Sequence, residues 1–228
     1  MTATARAALE ARYQKAAKRY EASLPLEHFM DLPDHATQRK ISWDSLGLLA
    51  AKRPDVHVFN ELLVQYPLPR RRKPGQVVPD NMVVIYDGPL EPDLSYNTPL
   101  VKPRPFWMLE YVSKNSTRKD YVDNMRRYER DLKVPYYLLF DLRKQKLTLY
   151  RHNGKRYDAL TPNSAGRLEV PELELELAIL DEWVRFWHKG KLLPLPADMQ
   201  RGLESARQEI AELRKQLDAL KSRRHDSQ

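Results

Sequence analysis

Apolar positions follow two rhythms along the chain. Over residues 5–22, Ala8, Tyr13, Ala16, Ala17 and Tyr20 recur near helical spacing and predict a helix. The following stretch, SLPLEHFMDLPDHATQRKISWDSLGLLAAKRP, alternates proline-containing turns with short helical runs. Its main helix is expected from about Ser42 to just before Pro54. From Asp55 to Pro69, β-branched and aromatic residues bounded by prolines predict a first strand. The basic turn RRRKPGQ separates it from a second strand over Asp80 to Tyr86. A proline-studded loop from Asp87 to Arg104 then leads to a third strand around Phe106 to Val112.

The rhythm turns helical again in STRKDYVDNMRRYERDLKVP. Ser116 or Thr117 marks the start, Tyr121, Met125, Tyr128 and Leu132 form the repeating face, and Pro135 marks the end. YYLLFD is continuously apolar, as a strand buried on both faces should be. KLTLYRHNGKRYDAL reads as a hairpin turning at Asn153-Gly154. WVRFWHKGKLLPLP reads as a short helix, a turn and a linker. Beyond Met199, the positions Leu203, Ala206, Ile210, Leu213, Leu217 and Leu220 alternate spacings of three and four, the heptad rule of a coiled coil. Glu209 and Arg214 stand where a parallel dimer would pair charges.

Strands, a helix and a returning strand predict an α/β (α+β) core, a mixed sheet flanked by helices with one right-handed crossover between the third and fourth strands. The expected divisions are an N-terminal helix over 1–25, a core domain over 26–196 and a coiled-coil helix over 197–228.

Composition narrows the chemistry. With 228 residues, 42% of them hydrophobic, the chain can bury a substantial core. It has no cysteine, which excludes disulfides, thiolate nucleophiles and thiolate metal sites and suits a cytoplasmic location. A metal would need carboxylate, imidazole or carbonyl ligands, which points to hard ions such as Mg2+ or Mn2+. No apolar run is long enough for a membrane span, and the Ala-rich N-terminus lacks the apolar core of a secretory signal. The formal net charge of +8 suits a polyanionic partner.

Two acids stand out because they interrupt apolar runs. Asp80 precedes the second strand and Glu110 lies inside the third, between FWML and YV. If these strands are neighbours, both carboxylates converge at one end of the sheet, where a divalent cation would offset their repulsion. Taken singly, Asp80 also fits a turn acid after proline, and Glu110 a buried salt bridge to an arginine.

VVPD ending in Asp80, LEYVS carrying Glu110 and Ser113, the helix bearing Asp120 and Tyr128, and the strand KVPYYLLFD together resemble the PD-(D/E)xK nuclease superfamily. They resemble more closely its Uma-two family, whose members are classed as restriction endonucleases. LTLYRHNGKRY and VPELELELAIL match that family's C-terminal strands, so the resemblance spans roughly residues 26–190. It implies a restriction-endonuclease-like core and metal-dependent cleavage of DNA phosphodiester bonds. Asp80, Glu110 and the carbonyl of Tyr111 would hold the magnesium ion. The superfamily's lysine is missing: Val112 stands two residues after Glu110, and Asn124 occupies the family's displaced position on the helix. Asparagine can hold a water but cannot take its proton.

The remaining candidates surround that pair. Asp120 is placed for a supporting role in the site or as a first-turn acid facing the helix dipole. Ser113 could cap a loop or contact phosphate. The turn Arg70, Arg71, Arg72 and Lys73, together with Lys114, Lys119 and Arg127, supplies candidate DNA contacts. The heptad tail points to a homodimer, with one amphipathic helix packed back onto its own domain as the rival reading. Two alternatives stay open: a catalytically degenerate nuclease fold that binds DNA or protein, and a dimeric scaffold.

Overall fold

A computed structural model describes residues 1–24, 33–112 and 118–225, with 218–225 described by backbone alone. The chain divides into two compact units, Met1–Leu193 and Pro194–Gln228. Among the described residues, no helix is long and apolar enough to cross a membrane.

The first unit is built on a six-stranded sheet. Its strands are β1 (Val56–Asn60), β4 (Asn81–Ile85), β6 (Trp107–Val112), β7 (Tyr136–Asp141), β8 (Lys146–His152) and β9 (Tyr157–Ala159), in that spatial order. β6 and β7 run parallel and all other neighbours antiparallel. The parallel pair requires a crossover, which the helix over residues 118–132 provides. Every residue of β6 and β7 is buried, consistent with their unbroken apolar character and with cover on both faces.

One face packs against α2 (Pro33–Ala50) and an antiparallel meander of β10 (Leu168–Val170), β11 (Leu175–Leu180), β12 (Trp183–His188) and β13 (Lys191–Leu192). Trp107, Leu109, Tyr111, Leu138, Phe140, Leu46 and Phe186 belong to this core. The other face packs against the crossover helix and a small sheet ordered β3 (Gly75–Val77), β2 (Val64–Tyr66), β5 (Tyr96–Asn97), with Met108, Val112, Tyr128, Tyr137 and Leu139 in its core. The alternation of odd and even residues of β6 between the two cores is the two-residue period of a strand.

α1 (Ala3–Glu21) belongs to this unit. Tyr13 and Ala17 are buried, and two sheet glutamines hold its backbone: Gln65 Nε2 donates to the Tyr13 carbonyl at 2.9 Å and Gln76 Nε2 to the Ala16 carbonyl at 3.1 Å. The second unit holds the 30-residue helix α3 (Pro196–His225), on which Leu203, Ile210, Leu213 and Leu217 are all more than half exposed.

Three elements depart from the sequence expectation. α2 starts at Pro33, not near Ser42; its first turns bury His35, Gln38 and Arg39, and no apolar stripe marks them in the sequence. The stretch from Asp55 to Pro69 is two strands in different sheets, separated at Glu61, where φ is 49°. WVRFWH is strand β12, not a helix: Val184 and Phe186 enter the core, and the open edge at Val184 is closed by Gln38. The Val184 N–H donates to Gln38 Oε1 at 2.8 Å, and Gln38 Nε2 donates to the Val184 carbonyl at 3.3 Å. β3 and β5, only three and two residues long, carried no readable period.

Gly75 faces Tyr66 across the small sheet, and a Cβ there would stand 2.3 Å from the Tyr66 ring. Gly75→Ala is expected to lower stability by about 1–3 kcal/mol. A urea midpoint equal to that of the wild type would show that the ring moves aside without cost.

Candidate active site

β4 and β6 are adjacent and antiparallel, with Asn81 opposite Leu109, so the next position brings Asp80 level with Glu110. There the ladder changes partner. Asp80 Oδ2 accepts the Tyr111 N–H at 2.7 Å, so a side chain takes the bond that a further strand residue would have made. Behind this junction, the Tyr111 hydroxyl donates to Asn81 Oδ1 at 2.9 Å and shares a 2.5 Å hydrogen bond with the Ser42 hydroxyl. Asn81 Nδ2 donates to Asn60 Oδ1 at 3.2 Å. The start of β4 is thereby fixed to β6, β1 and α2 together.

Glu110 is even-numbered on β6 and so faces the crossover helix, with only 1% of its surface exposed. Its Oε1 accepts from Tyr128 Oη at 2.6 Å and from Asn124 Nδ2 at 2.8 Å. The same Asn124 amide donates to Asp120 Oδ1 at 3.3 Å, and its Oδ1 accepts from Arg127 Nη1 at 3.2 Å. The Tyr137 hydroxyl donates to the Asp120 carbonyl at 2.9 Å. Among the described residues, no hydrogen bond reaches Glu110 Oε2.

The helix is wound to suit this line of side chains. Lys119–Asn124 and Arg127–Leu132 are π-helical, joined by an α-helical step. In a pure α-helix, residues four apart drift by about 40°. The wider π turn counteracts that drift and keeps Asp120, Asn124 and Tyr128 over β6.

Arg39 of α2 closes the other side. Its guanidinium pairs with Glu61, and its Nε lies 3.8 Å from Asp80 Oδ1. Burial raises the Asp80 carboxyl above its ordinary range, opposed by the Tyr111 N–H and by the charges of Arg39, Lys119 and His35. Burial also pushes Glu110 well up, and the charges of Asp80 and Asp120 push it further against the pull of Lys119 and the Tyr128 hydroxyl. Partial desolvation tends to lower the ammonium of Lys119, a residue that stays exposed, but the charges of Glu110, Asp120 and Asp80 outweigh it and raise the group. Tyr128 is pushed well up, by burial first and Glu110 second, and stays a neutral donor.

The fold therefore brings together Asp80, Glu110, the Tyr111 backbone, Asp120, Asn124 and Arg127, with the charge of Lys119 acting on all three acids. Ser113 and Lys114 lie outside the described residues. Arg70, Arg71, Arg72 and Lys73 occupy an exposed turn before β3, and among the described residues no hydrogen bond or ion pair joins them to these acids. Sequence reading left out Arg39, and it named Tyr128 in the motif without giving its hydroxyl a role. Tyr128 carries a readable signal, four residues beyond Asn124 and eight beyond Asp120; Arg39 carries none, because it reaches Asp80 only through packing of α2 on the sheet.

The profile of the Uma2 family, described as "Putative restriction endonuclease", matches residues 29–181. Among solved structures, the chain is similar to one described as a "putative nuclease belonging to DUF820" from Anabaena variabilis, at 15% identity and a TM-score of 0.47, covering 63% of this chain and 75% of that one. No curated protein sequence matches it. The family match covers most of the chain and takes in Asp80, Glu110, Asp120, Asn124 and Tyr128, and on that match the protein belongs to the Uma2 restriction-endonuclease family.

Proposed function

We propose that this protein is a divalent-cation-dependent endonuclease that hydrolyses DNA phosphodiester bonds, with Asp80 and Glu110 at its centre. One observation carries the reading: two carboxylates stand level with each other on adjacent strands inside the family's matched segment, and the charge of Asp80 raises the cost of ionising the buried Glu110. A structural role would not need such repulsion; a cation would relieve it.

The donor set fits magnesium or manganese. Among the described residues, no group of three or more His, Asp or Glu side chains has metal-holding geometry. An ion with one or two protein carboxylates and several waters is ordinary for magnesium. Asp80 and Glu110 would hold it, with the Tyr111 carbonyl as a third ligand: in an extended strand the C=O of a residue points to the same edge as its N–H, which here meets Asp80. A cation so held lowers the pKa of a bound water and stabilises charge on the phosphoryl group.

The chain's own residues then have distinct tasks. The Tyr111 N–H aims Asp80, and Tyr128 and Asn124 aim Glu110 and leave its other oxygen for the ion. Asn124 spends its amide on Glu110 and Asp120 and takes no proton. Lys119 stays charged, so it stabilises negative charge and does not act as a base. It stands in electrostatically for the lysine absent at Val112 and Asn124. A second reading, a nuclease fold that binds DNA without cutting it, has those same two substitutions in its favour. The absence of cysteine suits a reducing, cytoplasmic setting for either. The half-exposed Leu203, Ile210, Leu213 and Leu217 of α3 suit pairing with a second copy into a homodimer.

Asp80→Asn and Glu110→Gln are each expected to slow magnesium-dependent nicking of supercoiled plasmid by about a hundredfold or more. Undiminished nicking in both variants would remove them from catalysis; absence of nicking in the wild type, with DNA still bound, would favour the non-cutting reading.

In chelating buffer, the raised folded pKa of Glu110 means that its contribution to stability is present below the ordinary carboxylate range and is lost as pH rises through the folded value. The wild-type urea midpoint should therefore fall relative to that of Glu110→Gln between about pH 5 and about pH 8. Magnesium added at the upper end should raise the wild-type melting temperature and leave the variant's unchanged. Parallel pH curves with no magnesium shift would count against a metal site here.

For the dimer, Ile210→Glu with Leu217→Glu should halve the mass measured by sedimentation equilibrium. A monomeric wild type would refute the pairing.

A further inference from the structure

The family match begins at residue 29, so α1 lies outside it. Yet α1 is held on the small sheet by Gln65 and Gln76, and between it and the turn before β3 lies a cleft of about 460 Å3. Arg12, Lys15 and Arg19 line it from α1, and Arg72 and Lys73 from the turn; among the described residues that line it, none is acidic. Among the described residues, none of these five cations makes an ion pair. The neighbouring cleft by the crossover helix differs: there Asp123 and Asp131 stand among Arg71, Arg126 and Arg127.

Five like charges facing one another across a concave site repel, and focus a positive potential that only an anion relieves. Their arrangement on two walls suits a chain of phosphates running between them better than a flat charged surface. Tyr20 sits where this cleft meets a second one lined by Arg39, the residue beside Asp80. Tyr20 is near enough to Lys119 to act on its ammonium, as Glu110, Asp120 and Asp80 do. Through Tyr20 the basic cleft thus adjoins the one that Arg39 lines beside Asp80.

We propose that α1 and the turn carrying Arg72 and Lys73 form a two-walled clamp for the phosphate backbone of a nucleic acid, with Arg12, Lys15 and Arg19 as its second wall. The clamp rests on the nuclease reading only for its purpose, delivery of the strand to Asp80 and Glu110. α1 then does for binding what the family's segment does for chemistry.

The test is fluorescence anisotropy of a labelled duplex of about 30 base pairs, titrated in chelating buffer with the full-length protein at several salt concentrations. The combined variant Arg12→Ala, Lys15→Ala, Arg19→Ala should bind at least about tenfold more weakly and lose about 2 to 3 from the slope of log affinity against log salt. Lys18→Ala, exposed on the same helix but outside the cleft, should match the wild type in affinity and slope. Circular dichroism and thermal melting establish that the triple variant is folded; if it is not, Arg72→Ala with Lys73→Ala tests the other wall with the same expectation.

Wild-type affinity and slope in a folded triple variant would overturn the clamp. So would equal weakening by Lys18→Ala, or failure of the wild type to bind duplex. Capture by anionic phospholipid vesicles that the triple variant loses, with duplex binding intact, would reassign the cleft to a membrane surface and also overturn it. Plasmid nicking separates the two readings: a clamp that binds DNA in a protein that never nicks leaves the clamp standing without the nuclease. Nicking that needs Glu110 in a protein whose triple variant binds normally leaves the nuclease standing without the clamp.

Discussion

A carboxylate at the middle of a fully buried strand pair must be held in place, and much of this molecule is arranged around that requirement. Glu110 is buried on the face of β6 covered by the crossover helix, and the charges of Asp80 and Asp120 both act on it. Hydrogen bonds to a charged group contribute about 1.5–3 kcal/mol each. Tyr128 and Asn124, four residues apart on the crossover helix, supply two of them to the same oxygen. Lys119 offsets only part of the repulsion among the acids, and the Glu110 carboxyl is left well above its ordinary range.

The opposite face of the sheet is organised by polar residues of α2 in a comparable way. Gln38 serves as a strand partner to Val184, Ser42 meets the Tyr111 hydroxyl, and Arg39 reaches Glu61 and Asp80. Each of these residues lies on the face of the helix that an apolar stripe would normally occupy. α2 is thus both a packing element and the support that fixes the start of β4, and through it the direction of the Asp80 carboxylate.

The order of strands around the crossover could be read from the chain because each of those segments carries its own period. β6 and β7 are unbroken apolar runs, the crossover helix repeats Tyr121, Met125, Tyr128 and Leu132, and Asn153-Gly154 marks the hairpin. The same is true of the acids, since an aspartate and a glutamate interrupting apolar runs are anomalies visible without coordinates. α2, β12 and the small sheet could not be read in this way. Polar residues buried by mutual hydrogen bonding look like surface in a sequence, and strands of two or three residues are too short to show alternation.

By itself, the sequence determined an α/β core with one crossover, two acids interrupting its apolar runs at Asp80 and Glu110, and the lack of cysteine chemistry, because these follow from local periodicity and residue type; that the two strands are neighbours came from the structure. Only the tertiary structure decided which groups surround those acids. Arg39 comes from a helix 41 positions before Asp80 and Tyr128 from one 18 beyond Glu110, and α1 meets the turn before β3 across more than 50 residues of chain. Contacts of that kind are set by how the elements pack, and packing depends on shape and buried polar pairing that no linear pattern encodes.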